Sequence, residues 1–170
     1  MPEPAGIDKY PISTVIIANL LPLFIYLIGL FLLYQLGLIP AVIFALFILA
    51  LEFRVISGHC IDCNYYGKTC AFGKGKISAL FFSRGSPDRF CQGAMSWKDM
   101  LPDFLVLLIP VLAGMYILIS GFTWLILGLL IAIVLLGFCG NGFVRGHLAC
   151  RFCRQRELGC PAEQLFSKKE

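Results

Sequence analysis

Charged residues are scarce in this chain. Of 170 residues, 14% are Asp, Glu, Lys or Arg and 59% are hydrophobic, where soluble domains run nearer about a quarter charged. Too little polar chain remains to cover that much apolar surface, which excludes an ordinary soluble domain. No ionisable residue falls in the middle of an apolar run, so the usual mark of a proton relay or ion path is missing. No catalytic constellation is present, and a redox subunit is the one enzymatic role left open. Gly67-Lys68-Thr69 echoes the end of a phosphate-binding loop, but Asp62 stands where its leading glycine belongs. The start, Met1-Pro2-Glu3-Pro4, lacks the basic segment of a secretory signal peptide. Histidine is limited to His59 and His147. Neither C-x-x-C pair is followed by histidine, so covalent haem attachment is not indicated.

What is abundant is uninterrupted apolar sequence. Four runs stand out, at residues 12–33, 39–56, 101–119 and 122–138. Each approaches the ~17–25 residues that match a ~30 Å hydrocarbon core, which predicts four transmembrane helices. Pro22 and Pro110 fall inside the first and third, where neighbouring helices can re-satisfy the freed carbonyl. Gly114, Gly121, Gly128 and Gly137 supply small residues for close helix contact. Tyr10, Tyr34, Trp97 and Trp124 fall near span ends, as an interfacial aromatic belt requires.

Charge also sets an orientation. The turns at residues 34–38 and 120–121 contain none, and all 14 Lys and Arg lie on the other side. Basic residues in short segments stay cytoplasmic, so both termini and the loop between spans two and three are expected on that face of the cell membrane. The net charge of +4 is then an orientation signal rather than a sign of nucleic-acid binding. Within the loop, Ile77–Phe82 is apolar and flanked by Lys74, Lys76 and Arg84. It reads either as a short helix at the headgroups or as a cap over the cysteines.

The cysteines form the chain's clearest pattern. Cys60, Cys63 and Cys70 are spaced C-x2-C-x6-C, and Cys150, Cys153 and Cys160 repeat that spacing. Each trio follows two apolar runs and a Gly-His step, so the chain reads as a duplicated unit of hairpin plus thiol module. On a reducing cytoplasmic face such spacing favours metal or redox chemistry over disulfides; an inverted topology would restore the disulfide reading. Four-coordinate metal needs one more donor per trio. Cys91 and Cys139 would complete two all-cysteine sites and leave no orphan thiol, with Gly140, Asn141 and Gly142 letting the chain turn back beneath the second module. His59 and His147 are the alternative donors. Zn2+ accepts either set, whereas two [4Fe-4S] clusters would require thiolates. Neither trio has a ferredoxin spacing, although Cys160-Pro161 matches the end of one.

The expected architecture is an all-α integral membrane protein with four transmembrane helices in two tandem hairpins. Its segments are an N-terminal piece 1–10, hairpin 11–56, Cys-rich loop 57–99, hairpin 100–139 and Cys-rich tail 140–170. The expected role is a zinc-stapled scaffold or subunit that meets the lipid bilayer and other membrane subunits. The alternatives are electron transfer through two iron–sulfur clusters at the membrane surface, and transport or handling of a soft metal.

Overall fold

The computed structural model describes residues 6–86, 97–157 and 160. Their regular elements are all helices, joined by turns and irregular segments, with one isolated β-bridge between Ile7 and Cys153 among the described residues. The main helices are α1 (Ile12–Tyr34), α2 (Leu38–Arg54), α3 (Lys74–Phe81), α4 (Trp97–Ser120) and α5 (Trp124–Leu135). Four helical runs, Ile12–Tyr34, Leu38–His59, Leu101–Ser120 and Trp124–Phe152, are long and apolar enough to cross a membrane. Their outward faces carry side chains as exposed as Ile39 at 74% and Ile119 at 87%. Each large apolar side chain left in water forgoes about 1.5–3 kcal/mol, a deficit that a hydrocarbon environment removes. Such a surface is consistent with a membrane protein.

The second and fourth runs extend past their apolar sequence. α2 continues into a π-helical turn, Val55–His59. α5 continues through the π turn Leu136–Gly140, the α turn Asn141–Phe143 and a second π segment, Val144–Ala149. Gly140, Asn141 and Gly142, where the sequence predicts a reversal, are therefore helical, with Asn141 at φ −62° and ψ −43°. A π turn absorbs an extra residue without breaking the helix, and glycine does not forbid helical dihedrals; it only weakens them.

The chain divides into two compact units. One comprises Leu20–Glu52 and Trp97–Gly142. Here α1 approaches its neighbours through Gly29, where an added Cβ would lie 2.7 Å from the Phe44 ring and 2.9 Å from Pro110 Cγ. Gly114 lies against Leu130, and Gly137 against Leu107. Two of the four glycines expected at helix contacts thus serve there, while Gly121 and Gly128 face open space. Leu32, Ile126 and Leu130 form a core that Ile28 and Val111 extend. The Tyr26 hydroxyl donates to Glu52 Oε1 at 2.8 Å. Tyr34 and Trp124 are exposed at helix ends, as a belt requires.

The other unit comprises Met1–Asn19, Phe53–Ser96 and Phe143–Glu170. Tyr10, expected at the membrane interface, lies instead in its core, 5% exposed. There its ring meets Tyr65, centroids 5.7 Å apart, and its hydroxyl donates to the Ala149 carbonyl. α3 sits on the Val55–His59 turn: Ser78 Oγ donates to the Ile56 carbonyl at 3.0 Å, and Phe82 meets Phe53 edge-on. Its Leu80 and Phe81 point outward. The same helix therefore docks within the unit by one face and offers an apolar face outside it.

Candidate metal centre

The two trios are prepared by matching backbone. At Cys60 the amide N–H donates to the carbonyl of Val55, five residues back, and at Cys150 it donates to Arg145, again five back. Each trio thus starts at the end of a π turn, a feature frequent at functional sites. After the second cysteine the match continues. Tyr66 N–H donates to the Cys63 carbonyl, and Arg156 N–H to that of Cys153, both at 3.0 Å. In the first module Gly67 and Gly73 take φ of 73° and 69°, a left-handed conformation that glycine reaches without steric cost. Gly67 turns the six-residue spacer, and Gly73 turns the chain just past Cys70, where its N–H donates to the Cys70 carbonyl at 3.0 Å.

The two modules, contiguous in neither sequence nor helix order, belong to one unit. Cys63, Cys70 and Cys153 pack against a single core of Tyr10, Tyr65, Ala71 and Ala149, with Phe72 and Phe152 alongside. The amino-terminal residues bind both modules. Ile7 N–H donates to the Phe152 carbonyl, and Tyr10 N–H to that of Thr69. Asp8 pairs with Arg154 and, at 3.9 Å, with Lys68; such exposed pairs contribute about 0–1 kcal/mol. The structural weight is carried by buried groups. Tyr65, 2% exposed, donates through its hydroxyl to the Ile7 carbonyl and accepts the Arg154 N–H at 3.0 Å. Gln155, 1% exposed, accepts the Asn64 N–H at 2.9 Å.

The electrostatics follow from this burial. Desolvation pushes the Cys63 thiol up to about 12; the Tyr65 backbone N–H directed at it acts downward, and Cys153, Cys70 and Cys60 add to the rise. Burial likewise pushes Cys153 up to about 11, against the Gln155 backbone N–H, with Cys150 and Cys160 reinforcing it. Burial also raises Tyr10 and Tyr65 above their ordinary range. Unmetallated, Cys63 and Cys153 are neutral thiols at pH 7 and behave as small hydrophobes. A metal bound there must displace their protons.

Among the described residues no three His, Cys, Asp or Glu side chains converge on one metal-sized centre, and no described cysteine is in a disulfide. Cys139 is exposed and falls in the other unit. Cys91 lies outside the described residues. His59 and His147 are both exposed, the latter with its ring 5.5 Å from that of Phe143. Asp62, between Cys60 and Cys63, has one buried oxygen without a hydrogen-bond partner among the described residues, and Gly85 lies directly over it. Sequence reasoning missed Tyr65, Gln155 and Tyr10 as organisers of the site. The first two had a signal: each stands two residues after the second cysteine of its trio.

No family model, curated protein or solved structure matches the chain, so its own geometry and chemistry carry the functional reading.

Proposed function

We propose that the chain is a polytopic membrane protein whose duplicated thiol modules bind metal at the cytoplasmic surface, with zinc stapling the polar segments into a scaffold or subunit of a membrane assembly. The observation that carries this is the matched backbone of the two trios. Each starts at the end of a π turn, and Tyr66 and Arg156 return their N–H groups to the carbonyls of Cys63 and Cys153. The intervening amides of Tyr65 and Gln155 then act on the two sulfurs. Amide donors stabilise thiolate over thiol, and thiolate is the form that ligates. Neutral buried thiols gain little from such donors; metal-bound ones gain much. The matched π turns before Cys60 and Cys150, each closed by an N–H bond to the carbonyl five residues back, support duplication, and the uncharged turns opposite the basic segments support the cytoplasmic assignment.

Metal analysis of anaerobically purified protein tests this directly. Zinc in a colourless preparation is the expected result. Iron with acid-labile sulfide in a brown one would replace the scaffold by an electron-transfer subunit, and a metal-free protein would end the reading altogether.

A further inference from the structure

Helix α3 has two unlike sides. Gly75 and Ser78 are buried against the first cysteine module. The Gly75 carbonyl accepts the Gly67 N–H at 3.0 Å, and Ser78 Oγ reaches the Ile56 carbonyl at the same distance. Ile77 lies three and four residues before Leu80 and Phe81, so the three share the opposite face. Leu80 is 79% and Phe81 75% exposed.

The contacts at its two ends set the depth of this helix. Just before it, Asn19 Nδ2 donates to the Phe72 carbonyl at 3.2 Å, and a Cβ at Gly73 would lie 3.2 Å from Val15 Cγ1. Val15 and Asn19 follow Ile12, the first residue of α1, by three and seven residues. At ~1.5 Å per residue those are about 5 and 10 Å along the span. Just after α3, Phe82 meets Phe53 with centroids 5.7 Å apart, one residue before α2 ends. All of these residues belong to one unit. Helix α3 is thus tied to two spans at the level of their terminal turns. Interfacial amphipathic helices bury their apolar face in that layer, about 5–10 Å deep.

The charge is one-sided as well. From residue 64 to residue 86 the chain carries Lys68, Lys74, Lys76 and Arg84 and no Asp or Glu. Lys76 and Arg84 are exposed beside the apolar face. A protein partner would need an acidic rim around an apolar surface at this one depth. The leaflet that holds the spans offers both, as anionic headgroups above acyl chains.

We propose that α3 is an in-plane membrane helix on the side of the cysteine modules. Ile77, Leu80 and Phe81 enter the boundary between headgroups and acyl chains, and Lys76 and Arg84 bind anionic phospholipid headgroups. Through Gly75 and Ser78 the helix holds the first module at the bilayer surface. This rests on the membrane placement proposed above and is independent of the metal.

The test uses full-length protein carrying Trp97→Phe and Trp124→Phe, reconstituted into phospholipid bilayers. Leu80→Trp then gives a single fluorescent reporter at an exposed position, where no packing contact is lost. Lipid brominated high on the acyl chain should quench it about twofold or more beyond lipid brominated deep on the chain. Leu46→Trp, midway along α2 and exposed, should show the reverse order. At equal mole fraction, brominated phosphatidylglycerol should quench Leu80→Trp severalfold more than brominated phosphatidylcholine, and Lys76→Gln with Arg84→Gln should remove most of that difference. Equal quenching by the two lipids refutes anionic headgroup binding. If lipid quenches Leu46→Trp but not Leu80→Trp, the in-plane helix is overturned and the membrane reading survives. Iodide quenching of Leu80→Trp would then show a face open to water, and shielding from iodide a face covered by protein. If lipid quenches neither reporter, the membrane reading falls with the proposal.

Discussion

Removing the hydroxyl of Tyr65 isolates the link between the modules. Tyr65→Phe keeps the ring, its 5.7 Å contact with Tyr10 and its burial. It deletes the oxygen that accepts the Arg154 N–H and donates to the Ile7 carbonyl. Each orphaned group costs about 1–3 kcal/mol if water cannot reach it. Ile7 is half-buried and Arg154 exposed, so water recovers part of the loss, and the lower end applies to each. The sum is about 2 kcal/mol. Because helices in detergent rarely unfold in one step, the useful readout is local opening of this unit rather than global melting. Cys63 and Cys153 report it, since both are largely shielded and react with a thiol reagent only when the unit opens. In the metal-free, reduced protein, about 2 kcal/mol corresponds to a rise of about thirtyfold in their modification rates, measured peptide by peptide in a mass spectrometer. Gly121→Ala, where nothing lies within 4 Å, should leave the rates unchanged. A rise below about threefold for Tyr65→Phe would mean that the hydroxyl does not join the modules.

Other outcomes follow from the same contacts. Gly29→Ala drives a methyl into Phe44 and Pro110 and should destabilise the helical unit by about 1–3 kcal/mol, seen as earlier loss of ellipticity on heating in detergent; Gly128→Ala, facing open space, should not. A membrane-impermeant thiol reagent applied to intact cells after metal depletion should leave Cys60 and Cys150 unlabelled, and labelling from outside would reverse the proposed topology. Gly73→Ala forces a side chain onto φ 69° with Val15 Cγ1 at 3.2 Å, and should loosen the first module by about 1–2 kcal/mol, detected as faster modification of Cys70.

The helices were legible because a membrane span is a local property. A long run such as Ile12–Tyr34 declares itself by length and apolarity whatever packs beside it. The repeated C-x2-C-x6-C spacing, too, is legible along the chain, and the sequence by itself determined which sulfurs are candidates for a site. What it could not determine was anything that depends on partners distant along the chain. Tyr10 has the amphipathic character that suits a headgroup belt equally well as a core with one buried hydroxyl; its bond to Ala149, 139 residues away, decided for the core. Gly140, Asn141 and Gly142 carry the composition of a turn, yet helix on both sides holds them helical, since tertiary context overrides propensities of under about 1 kcal/mol per residue. The meeting of the trios is the extreme case. It hangs on Asn64 with Gln155, 91 apart, and Tyr65 with Arg154, 89 apart. No spacing within either module encodes that pairing; only the folded chain, closing those long loops and enclosing Tyr65 and Gln155 together, brings Cys63 and Cys153 to one core.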